Sequence, residues 1–420
     1  MEQDIAKKYN RRIFPVYKAL AWDALFLYVI IFLFLTEVKG LSAAEVMYAV
    51  AAYTAFLLLF QIPGAILIRR IGDRKALILG DLLVATSIIL LIVANSLLVL
   101  IFIYFIWAVG DALKGIATHT LLYDSVKSKK GKHSYANIDA KGAAGYYIVD
   151  GITAIFTGFL FVINNYLPII LAASTSVLAI LIACRFEDVK KEETEEITIS
   201  TSIRNIKQGL AHSFRSRRLR GLFLFMAMFG GTLLMITTYQ RSLLVDLQVR
   251  PEYMGIIFAG LTIISGFSAI YQDKIHNAFR NKTLGAISIP AFLSFIVVGI
   301  VTTMAINHFA TVMIVVLCFA VHHFSRGMYW TLSRKYITNF TNSDVRTSIL
   351  GAGELIEGIG GSIIMLLAGL LLDFYYTNVG YLIVGIVGMA IILLVLSFMK
   401  KRVGLSPEQY GEEDLNYEEK

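Results

Sequence analysis

Ala108-Val109-Gly110-Asp111-Ala112-Leu113-Lys114-Gly115 returns 212 residues later as Ala320-Val321-His322-His323-Phe324-Ser325-Arg326-Gly327. Two further pairs keep the same order at nearly the same spacing. Ala65-Ile66-Leu67-Ile68-Arg69-Arg70-Ile71 matches Ala269-Ile270-Tyr271-Gln272-Asp273-Lys274-Ile275 at an offset of 204, and Asp150-Gly151-Ile152 matches Glu357-Gly358-Ile359 at 207. One apolar match means little, because apolar helices resemble one another by chance. Three in order, each setting a polar residue at the same depth, indicate two parallel copies of one unit.

The surrounding composition says what those copies are made of. The chain has 420 residues, 57% of them hydrophobic and 16% charged, with a mean hydropathy of +0.69. A helix needs roughly 20 apolar residues to cross about 30 Å of hydrocarbon. Twelve stretches qualify: 14–36, 43–67, 76–94, 97–124, 138–163, 166–184, 219–240, 252–272, 283–306, 308–332, 347–372 and 378–399. Backbone groups in lipid must be satisfied internally, so these read as helices, and the alternation of a barrel strand is missing. The expected fold is an all-α membrane protein of twelve transmembrane helices in two six-helix halves. Expected boundaries are 1–184 for the first bundle, 185–218 for a cytoplasmic linker, 219–400 for the second bundle and 401–420 for a cytoplasmic tail.

The formal charge of +8 invites a nucleic-acid reading, and the placement of the charges argues against it. With the N-terminus inside, 32 of the 38 Lys and Arg fall in inside segments, three in outside loops (Lys39, Arg241, Arg250) and three in spans (Lys18, Lys114, Arg326). This is the positive-inside pattern of a multi-pass plasma-membrane protein with both termini cytoplasmic. The first apolar run is too long for a cleaved signal peptide. Cys184 and Cys318 both lie in apolar spans and read as small core residues, with no metal site or disulfide framework.

Residues 63–75 read Pro63-Gly64-Ala65-Ile66-Leu67-Ile68-Arg69-Arg70-Ile71-Gly72-Asp73-Arg74-Lys75. The stretch resembles the signature loop between helices 2 and 3 of the major facilitator superfamily. Arg70, Gly72, Arg74 and Lys75 fit the pattern; Ala65 stands for its first Gly, Arg69 where the family carries Asp, and Asp73 where a basic residue is usual. The second copy keeps the acid as Asp273-Lys274 and has His276 for the Gly. The resemblance implies that Arg69, Arg70, Gly72, Asp73, Arg74, Lys75, Asp273 and Lys274 form a cytoplasmic latch. It also implies that helices 1, 4, 7 and 10 line a central cavity, with the substrate site between the halves near the bilayer midplane. The look is closest to the bacterial drug-efflux branch, the tetracycline and macrolide exporters.

An ionisable residue near the bilayer centre costs roughly 2.5–3.5 kcal/mol on insertion scales and is a functional candidate by default. Asp23 follows Trp22 in span 1. Asp111 and Lys114 lie three apart in span 4, Asp150 in span 5, Arg326 in span 10, and Glu354 and Glu357 three apart in span 11. His322 and His323 add two titratable rings. The repeat pairs Lys114 with Arg326, Asp150 with Glu357 and Asp111 with His323. Asp150, Glu357, Glu354 and Asp23 are the proton-coupling candidates, and Asp23, Asp111, Lys114, His322, His323 and Arg326 the substrate-cavity candidates. The aromatic content, 12% of the chain, suits interface belts and could also stack on a bulky ligand.

No nucleophile elbow, zinc-protease motif or phosphate-binding loop occurs, so enzymatic chemistry is not expected and ATP is not the energy source within this chain. The leading expectation is a proton-driven, cofactor-free and monomeric secondary transporter exporting small amphipathic, cationic or zwitterionic compounds. A facilitator or flippase for an anionic substrate held by Lys114 and Arg326 is the first alternative, and a non-transporting receptor the second.

Overall fold

The structure, a computed structural model, describes residues 2–126, 134–188, 199–304, 307–341 and 343–399, and among these no strand occurs. The expected tail 401–420 and the middle of the expected linker lie outside the described residues. The chain divides into two compact units: Met1–Ile199 with Val249–Ala259, and Ser200–Gln248 with Gly260–Lys420.

The first unit holds α1 (Glu2–Ala21), α2 (Ala43–Ile71), α3 (Asp73–Leu90), α4 (Leu97–Val126), α5 (Tyr135–Ile163) and α6 (Leu167–Ala183). The second holds α7 (Ile199–Arg215), α8 (Arg217–Phe225), a π-turn (Met226–Gly230), α9 (Gly231–Asp246), most of α10 (Pro251–Ile270), α11 (Gln272–Phe279), α12 (Thr283–Thr303), α13 (His308–Asn339), α14 (Ser343–Phe374) and α15 (Thr377–Met399). Ten of the described helical stretches are long and apolar enough to cross a membrane, and Leu167–Ala183 is a shorter apolar helix. With the broken first segment this is consistent with the twelve spans expected. Large apolar side chains such as Leu98 (79% exposed) and Phe374 (77%) point outward. That inversion of the soluble pattern is what a hydrocarbon solvent permits.

The first span is not the continuous helix expected over 14–36. Helix α1 stops at Ala21, and regular structure resumes at Ile31–Leu33 and a π-turn, Phe34–Val38. The cause is local. The Asp23 carboxylate accepts the N–H of Ala24 at 2.8 Å, so the side chain takes a donor the helix would use. Phe26 then adopts a φ of +64°, which no right-handed helix accommodates. Cys184 also departs from expectation. It sits just past α6 and is exposed, whereas Cys318 is buried as expected.

Small residues set how closely the helices cross. A methyl on Gly80 would lie 2.8 Å from the Gly110 carbonyl oxygen, so α3 and α4 meet backbone to backbone. Around that crossing Phe14, Tyr17, Ile68, Leu77, Leu113, Leu121 and Phe186 form the first unit's buried core. In the second unit a methyl on Gly360 would lie 2.3 Å from the Ala227 carbonyl oxygen, in the π-turn before α9. Such small-residue crossings are how membrane helices gain contact when lipid offers no hydrophobic drive between them.

Candidate functional site

In the first unit the break after α1 gathers a cluster that the linear sequence scatters. Trp22 packs against Tyr146 and Tyr147 of α5, with ring centroids 5.3 and 5.9 Å apart. Tyr146 is buried within electrostatic reach of both Asp23 and Asp150. Trp22 and Tyr147 stay largely exposed, at 43% and 49%. The Lys18 ammonium lies 4.0 Å from the Trp22 ring centroid and is paired with Asp139 at 2.5 Å. The exposed Tyr147 ring beside the two carboxylates can attract a flat organic cation by charge and ring quadrupole, while the Trp22 ring already carries the Lys18 ammonium. Helix α5 reaches this position because it packs close on α1: a methyl on Gly142 would lie 2.9 Å from the Lys18 Cβ.

A second polar chain runs through the same unit. Lys114 pairs with Asp111 at 2.9 Å, and Asp111 also accepts the Tyr53 hydroxyl at 2.7 Å. Asp81, 3% exposed, lies within electrostatic reach of Lys114 and accepts the Tyr17 hydroxyl at 2.8 Å. Asp81 is absent from the sequence-based candidates, although a carboxylate in the third apolar stretch was there to be read. Tyr17 and Tyr53 carried no signal, since tyrosine is common in membrane spans.

The second unit's candidates separate. Glu354 is exposed and meets Arg334 at 3.2 Å, while Glu357, 5% exposed, faces inward. A methyl on Gly230 would sit 2.2 Å from the Tyr329 hydroxyl oxygen and 2.9 Å from the Glu357 carboxyl carbon. Both polar groups therefore converge on the end of the π-turn. His322 and His323 are both enclosed, at 0% and 2% exposure. Gln240 of α9 connects them: its amide nitrogen donates to His322 Nδ1 at 3.3 Å, and its oxygen accepts from His323 Nε2 at 3.2 Å. His322 Nε2 then donates to Ser294 at 2.7 Å and to the Ala291 carbonyl at 3.1 Å. His323 Nδ1 faces the Ser265 hydroxyl at 3.2 Å. Both rings donate from Nε2, and their Nδ1 atoms also meet polar partners, so the two imidazoles and Gln240 form one connected network. Arg326 is half-buried one turn further along α13.

The latch candidates of the first copy stand at a cavity of about 340 Å³ lined by Arg69 to Lys75, Leu121, Asp124, Glu187 and Asp188, all in the first unit. Gly72 has a φ of +89°, a conformation that favours glycine. Asp73 begins α3, where the helix dipole favours an acid, and accepts from Thr120 at 2.7 Å. Arg74 donates to the Cys184 carbonyl at 2.7 Å. In the second copy Asp273 pairs with Lys335 at 2.8 Å, and the Lys274 ammonium lies 5.3 Å from the Tyr271 ring centroid.

His276, which occupies the position of Gly72 in that copy, is buried, with Nδ1 3.2 Å from both the Thr283 and Tyr336 hydroxyls. Burial and the nearby Lys335 ammonium hold its pKa below the usual 6.5, against the pull of Asp273. The fold therefore favours the neutral ring. Its contribution to stability is present above pH 6.5 and is lost as the pH falls below that value. Thermal unfolding of the purified protein from pH 8 to 5 is expected to show a decline that His276→Gln reduces. An identical decline in the variant would remove His276 from the account.

The Major Facilitator Superfamily model matches residues 18–320 and, in a second alignment, 291–417. The chain belongs to the Major Facilitator Superfamily. Solved structures agree on the fold. The nucleoside transporter NupG superposes with a TM-score of 0.72 at 13% identity, covering 98% of this chain and 100% of that one. A D-xylose–proton symporter gives 0.68 at 10% identity, covering 97% and 98%. A POT family transporter in complex with 5-aminolevulinic acid gives 0.64 at 13%, covering 95% of each chain. No curated protein matches the chain in sequence. This facilitator-superfamily protein is a multi-pass membrane transporter.

Proposed function

We propose that the protein is a proton-coupled exporter of small amphipathic cations or zwitterions, drugs among them, working by alternating access in the plasma membrane with both termini cytoplasmic. The observation that carries the reading is the cluster at the break after α1. Asp23 and Asp150 lie within electrostatic reach of Tyr146, with the exposed ring of Tyr147 and the Trp22 ring, which already holds the Lys18 ammonium, beside them. A planar cation is recognised there, and Asp150 and Glu357 carry the exchanged proton. Small-solute carriage accompanies this fold in the nucleoside, xylose and POT structures, and the xylose carrier is a proton symporter. Support for the outward direction comes from the likeness of the chain as a whole to the bacterial drug-efflux branch.

Accumulation of ethidium and tetracycline in energised cells tests the reading. Cells expressing the protein are expected to hold less of either compound, and a protonophore to abolish the difference. Trp22→Ala and Tyr147→Ala are each expected to weaken ethidium handling about 2- to 30-fold, the span of a lost cation–π contact of about 0.5–2 kcal/mol. Equal accumulation of both compounds with and without the protein would sink the proposal.

A further inference from the structure

Arg326 marks the place where the two copies of the repeat cease to be equivalent. In the first copy Lys114 has Asp111 three residues before it and is neutralised at 2.9 Å. The residue in the place of Asp111 is His323. Its Nε2 is committed to Gln240 and its Nδ1 faces Ser265, so it offers Arg326 no negative charge. Arg326 makes no hydrogen bond or ion pair with any other described residue. The strongest electrostatic neighbours of His323 are Arg326, His322 and Arg241, with no carboxylate among them. The charged groups acting on Glu357 are Glu354 and Arg334, not Arg326.

A half-buried guanidinium in a membrane span is expensive unless an anion compensates it. The backbone beneath it is fixed. A methyl on the adjacent Gly327 would lie 2.1 Å from both the Ser265 carbonyl oxygen and the Ser268 hydroxyl, so α13 is pressed against α10 at this level. A rigid mount, a planar five-donor head and no counter-charge among the described residues together describe a receptor for an oxyanion, which guanidinium binds in a two-pronged fashion.

We propose that Arg326 anchors an anion-binding site within the second unit that takes the carboxylate, or a similar oxyanion, of a small organic compound. The inference rests on the proposed function only in that the anion is part of the carried compound or travels with it. An anionic group of that compound and a free inorganic anion share this chemistry.

The test is equilibrium binding to the purified full-length protein in detergent, without a proton gradient, in a dilute zwitterionic buffer free of carboxylates. Benzoate, benzylammonium and chloride are the probes. Benzoate is expected to bind the native protein. Arg326→Gln should weaken it about tenfold or more, as for a lost charge-assisted hydrogen bond, and Arg326→Lys should weaken it less. Retained benzylammonium binding and an unchanged helical circular-dichroism spectrum in Arg326→Gln show that the fold is intact and separate this site from the cation site. Chloride binding that Arg326→Gln abolishes, with benzoate merely displacing it, supports the site and assigns it to an inorganic anion. Benzoate binding of equal strength in Arg326→Gln overturns the proposal, as does failure of both benzoate and chloride to bind the native protein. Loss of benzylammonium binding in the native protein would count against the cation reading alone.

Discussion

Glu357→Gln abolishes uphill transport, bringing substrate accumulation to the level of cells lacking the protein, and Asp150→Asn does the same. Glu357 is 5% exposed, and its Oε1 has no hydrogen-bond partner among the described residues. It stands where α14 comes backbone to backbone with the π-turn before α9, at Gly360 and Ala227. Its charge therefore bears directly on the packing of that crossing, and π-turns inside helices often mark working parts. A proton crossing roughly 100 mV and one pH unit releases about 3.7 kcal/mol, enough for a several-hundred-fold gradient of a substrate without net charge. An amide keeps the shape of the carboxyl and cannot exchange that proton. Proteoliposomes with an imposed gradient give the measurement. Both variants are expected to lose uphill flux, while exchange of labelled for unlabelled substrate without a gradient persists. Unchanged uphill flux in both would take the proton role away from these two residues.

Lys114→Met lowers stability by about 3–5 kcal/mol, the cost of leaving buried charge uncompensated. Lys114 is 8% exposed, pairs with Asp111 and lies within electrostatic reach of Asp81, each acid also bonded to a tyrosine. Its removal leaves the buried Asp81 and the partly buried Asp111 without their cation, each with only a tyrosine hydroxyl as partner. Adding Asp111→Asn is expected to recover part of the loss, because one of the stranded charges goes with the mutation. Thermal unfolding in detergent reads both effects. An unfolding midpoint for Lys114→Met equal to that of the native protein would show that the ion pair is not holding α3, α4 and α1 together. A large loss would make Lys114 a structural cation, in contrast to Arg326, which pairs with no acid among the described residues.

The all-helical membrane fold and the family were readable from composition, apolar run length and the loop at residues 63–75. These depend on how much apolar chain a bilayer requires and on short local spacing, and both are properties of the linear sequence. The internal repeat likewise pointed to the spans that hold the buried polar groups. It did so through correspondences such as Lys114 with Arg326 and Asp150 with Glu357, which report equal depth and say nothing of what each side chain meets.

What each charge does was decided by packing. The sequence made Glu354 and Glu357 equivalents on one helix. The fold sends one to the surface with Arg334 and buries the other beside Tyr329 and Gly230. Asp23 read as a charge within a continuous span, whereas the chain breaks there because the carboxylate captures the Ala24 N–H. His322 and His323 point about 100° apart on an ideal helix, and Gln240, eighty-two residues before the first of them, binds both. The partners Tyr17, Gln240, Ser294 and Tyr329 are uncharged residues of common type, so their roles become visible only when distant helices meet. Hydrophobic length and local pattern fixed that this chain is a two-part membrane transporter. Which charges are neutralised, which are enclosed and which are left for a ligand depends on contacts between residues far apart in the chain, and those belong to the tertiary structure.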